Sequence, residues 1–408
     1  MKPVGPIPAG YSVINGELAI GGLAASALAA QAGDTPLFVY SADHLRARVA
    51  ALRAAMPARL AIHFAMKGNP FAPVLELMNI LVDGFDLASG GEMALALAAG
   101  VAPDRMSFAG PGKRDRELEA AITHGVTLNC ESEGEAARAL AIGERLGITP
   151  KLAVRVNPPF DLKGSGMKMG GGAKQFGVDA ARVPALVRTI LDAGADWRGF
   201  HIYAGSQALH AASIIEMQAQ TLALGAILAS EIGVSPPHVN LGGGFGIPYF
   251  PGDEPLDLTA VGEALDAALR NVPPILADTE FCIELGRYLV GEAGVYLTRI
   301  VDKKVSHGET FLITDGGLHH QLAASGNFGT VIRRNYPVAI ATRFDAPLDE
   351  IVSVVGCLCT PLDMLSNQAM LPRADVGDLV AIFCAGAYGA SASPANFLGQ
   401  GAALEMLV

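Results

Sequence analysis

The sequence is short of charge, of basic residues and of long uninterrupted apolar runs. Charged residues make up 17% of its 408 residues and hydrophobic ones 51%. That balance fits a well-buried two-domain protein and excludes a disordered chain. Lysine and arginine number 29 against 40 acidic residues, a formal net charge of −11. Without a basic footprint the chain is not expected to bind nucleic acid or an anionic membrane. A local site can still oppose the global sign and take an acidic or phosphorylated ligand. Cysteines are five, an odd count in a long chain, which argues against a secreted disulfide framework. Cys357 and Cys359 have no matching second pair, so no metal site is expected. No basic segment precedes an apolar core at the N-terminus, so no signal peptide is read there. Leu18–Ala30 is apolar but too short to span a bilayer, and its Ala/Leu content predicts a packed helix. Together these absences predict a cytoplasmic location.

What is present is alternation. Strands are expected at 61–65, 85–88, 105–109, 127–130, 152–157, 199–203, 238–241 and 281–285. Helical patterns lie between them, as at 91–99, 114–124, 132–146, 180–193, 213–232 and 258–271. Eight such units predict a parallel (β/α)8 barrel of the TIM type. The other architecture with this alternation is an open doubly wound sheet, but no Gly-x-Gly-x-x-Gly follows the first strand. After Glu284 the pattern changes to short β-like runs broken by Gly, Asp and Pro, which predicts a mostly β second domain. The expected division is a barrel over 37–280 and a β-rich domain over 1–36 and 281–408. The Gly/Lys-rich stretch 167–177 reads either as a lid or as a plain surface loop.

Four stretches carry candidate chemistry. Lys67 ends the apolar run Ala61-Ile-His-Phe-Ala-Met-Lys67 and is followed by Gly68-Asn-Pro70. A lysine at the C-terminal mouth of a barrel strand, once desolvated, can form a Schiff base with a carbonyl. Gly242-Gly243-Gly244 follows strand seven, where glycines let backbone N–H groups approach a phosphate. Glu284 and Arg287 end strand eight, an acid and a base at one mouth, or else a structural ion pair. Strand six ends in His201-Ile-Tyr203-Ala-Gly-Ser206. It offers a hydroxyl in Ser206 and a stacking ring in Tyr203 or His201, which alternation places on one face. A lysine, a phosphate cradle, an aromatic ring and a carboxylate for a pyridine nitrogen are what pyridoxal 5′-phosphate (PLP) requires.

On these motifs the sequence resembles the fold type III PLP-dependent decarboxylases, which act on diaminopimelate, ornithine, arginine and related amino acids. Phe64-Ala-Met-Lys67 resembles their Schiff-base motif, and Asp86-Leu-Ala-Ser-Gly-Gly-Glu92 their second-strand motif, with Asp86 at the cofactor. Gly205-Ser206 and Gly243-Gly244 match the phosphate contacts. Glu284 and Arg287 match the pyridine-nitrogen acid and the phosphate arginine, and Ala385-Gly-Ala-Tyr388 the late phosphate-binding tyrosine. Gly356-Cys-Leu-Cys-Thr-Pro-Leu-Asp363 is similar to the segment that crosses the dimer interface. The resemblance implies a homodimer with shared active sites, Cys359 as the proton donor given to the partner's site, and Asp363 as a substrate contact.

Three departures bear on the substrate. Tyr203 stands where the family stacks a histidine, and it cannot become a cation there. Thr360 stands where an acid reads the substrate's distal ammonium, so that counter-charge is missing. Ile332-Arg333-Arg-Asn-Tyr336, with Arg333 and Tyr336 as substrate candidates, matches poorly the Arg-Pro-x-Leu-Tyr run of the diaminopimelate enzymes. The variant motifs resemble the exosortase-associated branch and relatives that decarboxylate amino acyl groups tethered to a carrier protein. The expected activity is decarboxylation of an amino acid that is not a standard distal-amine one. Alternatives are a carrier-tethered amino acyl substrate, a fold type III racemase, and a non-catalytic regulatory homologue.

Overall fold

The computed structural model describes residues 1–164, 166–326 and 334–408. The chain divides into two compact units. One comprises Val49–Gly246 and Pro255–Gly286, the other Met1–Arg48, Ile247–Glu254 and Arg287–Val408.

The first unit is a closed parallel barrel. Its strands are β1 (Leu60–Ala65), β2 (Gly84–Leu87), β3 (Met106–Phe108), β4 (Thr127–Cys130), β5 (Lys151–Asn157), β6 (Asp196–Ile202), β7 (His238–Asn240) and β8 (Glu280–Leu285). Each pairs in parallel with the next. β8 pairs with β1, which closes the ring. All eight strands expected from the sequence are barrel strands. Helices fill the connections, among them Ala72–Leu81, Gly90–Ala98, Asp115–His124, Glu133–Leu146 and Leu258–Arg270. One helix among the described residues, Ala211–Ile232, is long and apolar enough to cross a bilayer. Half of its apolar window is buried, with Ile214, Met217, Leu222 and Leu228 turned inward.

The strands share a pattern that decides the chemistry of the interior. Each carries one polar residue between apolar neighbours: His63, Asp86, Ser107, Asn129, Arg155, His201, Asn240 and Glu284. The flanking side chains, such as Ile62 and Phe64, Val154 and Val156, or Phe200 and Ile202, are buried on the helix-facing side. Alternation therefore turns the polar residues into the barrel. TIM barrels are ordinarily filled by bulky branched side chains. Here a polar layer replaces one such filling.

The second unit holds a sheet in which Gly294–Ser306 is the long central strand. It pairs with Leu37–Tyr40, Leu379–Ile382 and Glu309–Thr314, and the sheet extends through Glu350–Val355 to Met364–Leu371. The last strand, Leu404–Leu407, runs parallel to Leu37–Tyr40. Leu18, Leu28, Leu37, Val39, Val295, Leu297 and Phe383 form its fully buried core.

Three expectations shift. Leu37–Tyr40 was set inside the barrel, but its backbone pairs with Gly294–Leu297, so it belongs to the β unit. Phe281–Leu285 falls on the β side of the expected border, yet its hydrogen bonds to β7 and β1 close the barrel. Leu18–Ala30 is not one helix. Gly21 and Gly22 take positive φ and turn the chain between Glu17–Ile20 and Leu23–Ala24, so the helix starts only at Ala25.

One buried ion pair braces the barrel. Lys113, in the loop after β3, is 1% exposed. It donates to Gly110 O at 2.8 Å and to Asn129 O at 3.0 Å, and it pairs with Glu135 at 2.6 Å. Removing one partner of a buried pair strands the other's charge, whereas replacing both can be neutral. Lys113→Ala is therefore expected to destabilise the barrel by about 3 kcal/mol. The double variant Lys113→Met/Glu135→Leu should recover most of that in urea unfolding. Equal loss in single and double variants would contradict the account.

Candidate active site

Lys67 follows β1 in a single 3-10 turn, Met66–Gly68, and stands exposed at the barrel's C-terminal mouth. Its Nζ lies 5.8 Å from the centroid of the Tyr203 ring. His201, the other candidate stacking ring, is elsewhere engaged. It is 3% exposed, with Nε2 2.9 Å from Glu284 Oε2 in an ion-pair contact. The contact lacks aligned hydrogen-bond geometry.

Glu284 is the electrostatic centre of the barrel. It is 6% exposed at the C-terminal end of β8. Burial alone would push its carboxyl up. The charge of His201, then those of Lys67 and Arg155, outweigh burial and hold it down to about 2. Asn240 joins this carboxylate to the glycine run. Its Nδ2 donates to Glu284 Oε2 at 3.0 Å, and its Oδ1 accepts from Gly242 N at 2.8 Å. The run lies against neighbouring backbone. A Cβ at Gly243 would stand 1.9 Å from Glu284 O, and one at Gly244 2.6 Å from Gly205 O. No side chain fits there, so the backbone itself forms the surface.

Among the buried polar atoms of this unit that lack a hydrogen-bond partner are Ser206 Oγ and both carboxylate oxygens of Asp86. Buried polar groups are ordinarily paired, and orphans mark places a ligand completes. An orphan hydroxyl beside a glycine cradle, a lysine within reach of an aromatic ring and a buried carboxylate held ionised fit a phosphorylated pyridine aldehyde.

In the β unit, Arg287 is enclosed by aromatic rings. Its Nη1 donates to Tyr249 OH at 2.8 Å, and its Cζ lies 5.4 Å from the Tyr249 centroid and 4.9 Å from that of Tyr388. Tyr388 sits at φ +59°, a left-handed conformation uncommon for a non-glycine residue. Tyr336, expected at the substrate, is instead 6% exposed and packs on Tyr249 and Phe250 at 4.7 and 5.5 Å. Arg333 lies outside the described residues.

A family model for the pyridoxal-binding domain of the pyridoxal-dependent decarboxylases matches residues 42–291. The chain belongs to this family. Over 380 residues it is 35% identical to an L-glutamyl-[BtrI acyl-carrier protein] decarboxylase from Niallia circulans, covering 92% of this chain and 89% of that one. It is 31% identical over 389 residues to a diaminopimelate decarboxylase from Methanothermobacter thermautotrophicus, covering 93% and 87%. Among solved structures it is similar to the diaminopimelate decarboxylase (I148L mutant) of Helicobacter pylori complexed with L-lysine. There the TM-score is 0.83 at 27% identity, covering 94% of each chain. The chain is thus a fold type III PLP-dependent decarboxylase of the diaminopimelate decarboxylase type.

The decarboxylase's Cys-x-Cys segment lies in the β unit with Cys357 and Cys359 both exposed. Asp363, expected to touch substrate, is engaged by backbone amides. It is 3% exposed, and its two oxygens accept from Leu318 N at 2.6 Å and Leu358 N at 2.8 Å. It is a clamp that fixes the Cys-x-Cys loop, packed so closely that a Cβ on Gly317 or Gly356 would strike it. Thr360 is partly exposed, and its Oγ1 accepts from Leu362 N at 3.3 Å.

Sequence reading missed Asn240, His63 and the clamp role of Asp363. The signal for the first two was present, as a polar residue set inside each apolar strand.

The lowered Glu284 carboxyl has a pH consequence. A group held below its ordinary value adds stability that is full above that value and is lost as pH falls through the folded one. Barrel stability should therefore fall between the ordinary carboxylate range and about pH 2. His201→Leu should move part of that loss to higher pH, measured by thermal unfolding of the cofactor-free protein. A His201→Leu profile superimposable on wild type would show that His201 does not hold Glu284 down.

Proposed function

We propose that the protein is a homodimeric decarboxylase acting on an α-amino acyl group whose distal end carries no free ammonium, with a carrier-tethered glutamyl group as its substrate. The observation that carries this reading is the missing counter-charge. Thr360 is neutral where the family reads the distal amine, and the acid nearest it in sequence, Asp363, is committed to two backbone amides. The N. circulans relative, named for a carrier-linked glutamyl substrate, supports the same choice.

In this reading each residue has a task. Lys67, at the barrel mouth beside Tyr203, would hold the cofactor through its ε-amine. PLP, when bound, supplies the electron sink that takes the bond pair as CO2 leaves. Glu284, kept ionised by His201, holds a proton on the pyridine nitrogen. Tyr203, beside Lys67, would supply a ring face, and Asp86 is assigned to the cofactor. Ser206, the N–H groups of Gly243 and Gly244, Arg287 and Tyr388 are assigned to the phosphate. Cys359 of the partner subunit delivers a proton to the substrate's α-carbon, which replaces the lost carboxylate.

The test is CO2 release from glutamyl-carrier thioester beside free diaminopimelate, ornithine, lysine and arginine. The tethered substrate should be turned over with much the highest kcat/KM. Efficient turnover of free diaminopimelate would overturn the substrate reading. Lys67→Ala should lose the visible absorbance of lysine-bound cofactor together with all turnover. Cys359→Ala should keep that absorbance and lose turnover by about 100-fold or more. Full activity with unchanged product in Cys359→Ala would remove it as the proton donor.

A further inference from the structure

Inside the barrel, toward the N-terminal ends of the strands, lies a cavity of about 250 Å³. Its rim is charged, with Asp83, Asp104, Arg105, Arg198 and Glu280. It reaches four members of the polar layer, Ser107, Asn129, His63 and Asn240, and the last two lead to the carboxylates. His63 and Asn240 each touch a carboxylate above them. Asn240 donates to Glu284, and His63 Nδ1 lies 3.4 Å from Asp86 Oδ2. The cavity therefore ends directly beneath the carboxylates assigned to the cofactor.

His63 is placed with care. It faces Glu284 in the β1–β8 register and Gly84 in the β1–β2 register. A Cβ at residue 84 would stand 2.6–2.8 Å from three atoms of the imidazole, so the ring occupies space that only a glycine leaves. Its side chain is 21% exposed. Asp86, 8% exposed, has neither oxygen in an aligned hydrogen bond, and His63 stands within ion-pair distance of it.

We infer that His63 is a positioning residue. From the cavity side its imidazole fixes Asp86 and balances the carboxylate pair Asp86 and Glu284, so that both stay ionised and oriented when the cofactor binds. This rests on the assignment of Asp86 and Glu284 to the cofactor. The titratable groups that act on the ring are Asp86 on β2, Asp83 just before it, Glu284 on β8 and His238 on β7, and Cys282 lines the same cavity. Burial opposes a charge on His63, but Asp86 first, then Glu284 and Asp83, outweigh it and hold the imidazolium above its ordinary value. A raised histidine adds stability that is full below the ordinary histidine value and is lost as pH rises through the folded one.

The experiment uses the full chain without added cofactor, then with PLP. Histidine NMR should show His63 titrating above its ordinary value, and Asp86→Asn should bring it down. His63→Leu should lower PLP affinity by about tenfold, the worth of one hydrogen bond to a charged group. It should also shift the pH midpoint of the bound cofactor's absorbance, with His63→Gln shifted less. A His63 titration at the ordinary value, unmoved by Asp86→Asn, overturns the inference. So does a His63→Leu protein with wild-type PLP affinity and pH midpoint. If His63→Leu does not fold, the NMR titration of wild type and Asp86→Asn decides alone. The titration needs no cofactor, so its outcome is independent of whether PLP chemistry or the substrate has been assigned correctly.

Discussion

A single negative charge inside the barrel sets most of what surrounds it. An isolated carboxylate in a protein interior is costly and would ordinarily take up a proton. Glu284 keeps its charge because His201 stands 2.9 Å away and Asn240 donates to it at 3.0 Å. Asn240 in turn receives the amide of Gly242, so the carboxylate and the glycine run are fixed by one side chain. The polar layer follows from the same need. Eight strands each turn one polar residue inward, and the layer pairs within itself: His201 with Glu284, His63 with Asp86, Asn129 with Ser107. A barrel filled with branched aliphatics would leave Glu284 no partner.

The β unit solves a different problem, that of presenting residues from loops with little freedom. Arg287 is held by Tyr249 and lies under the rings of Tyr249 and Tyr388. The Cys-x-Cys loop is pinned by Asp363, whose oxygens accept from the amide of Leu358 within the loop and from that of Leu318 in a separate segment. Buried carboxylates accepting backbone N–H groups are strong local clamps. The segment can thus expose Cys359 without becoming loose. The same commitment engages both Asp363 oxygens with backbone amides.

The barrel was legible because each strand is a short apolar run bounded by turn residues, and because Lys67, the glycines and Glu284 all fall at strand ends. The division between units was not. Leu37–Tyr40 reads as any buried strand, and only its hydrogen bonds to Gly294–Leu297 assign it to the β unit. Leu18–Ala30 misled because composition favours a helix, while two glycines at positive φ break it. Among site residues, those whose type announces their chemistry were found. Asn240, His63 and Lys113 were not, since their roles depend on partners distant in sequence: Glu284, Asp86 and Glu135. The burial of Asp363 and Tyr336 is likewise not visible in a motif.

The most direct test of this account is the ionisation state of Glu284 itself. An isotope-edited infrared spectrum of the cofactor-free protein, with Glu284→Gln as the subtraction, can be recorded at the ordinary pKa of a glutamic acid. The account predicts an ionised carboxylate band and no carbonyl stretch of a protonated acid. A protonated Glu284 at that pH would contradict it, and with it the claim that the polar layer exists to keep this charge.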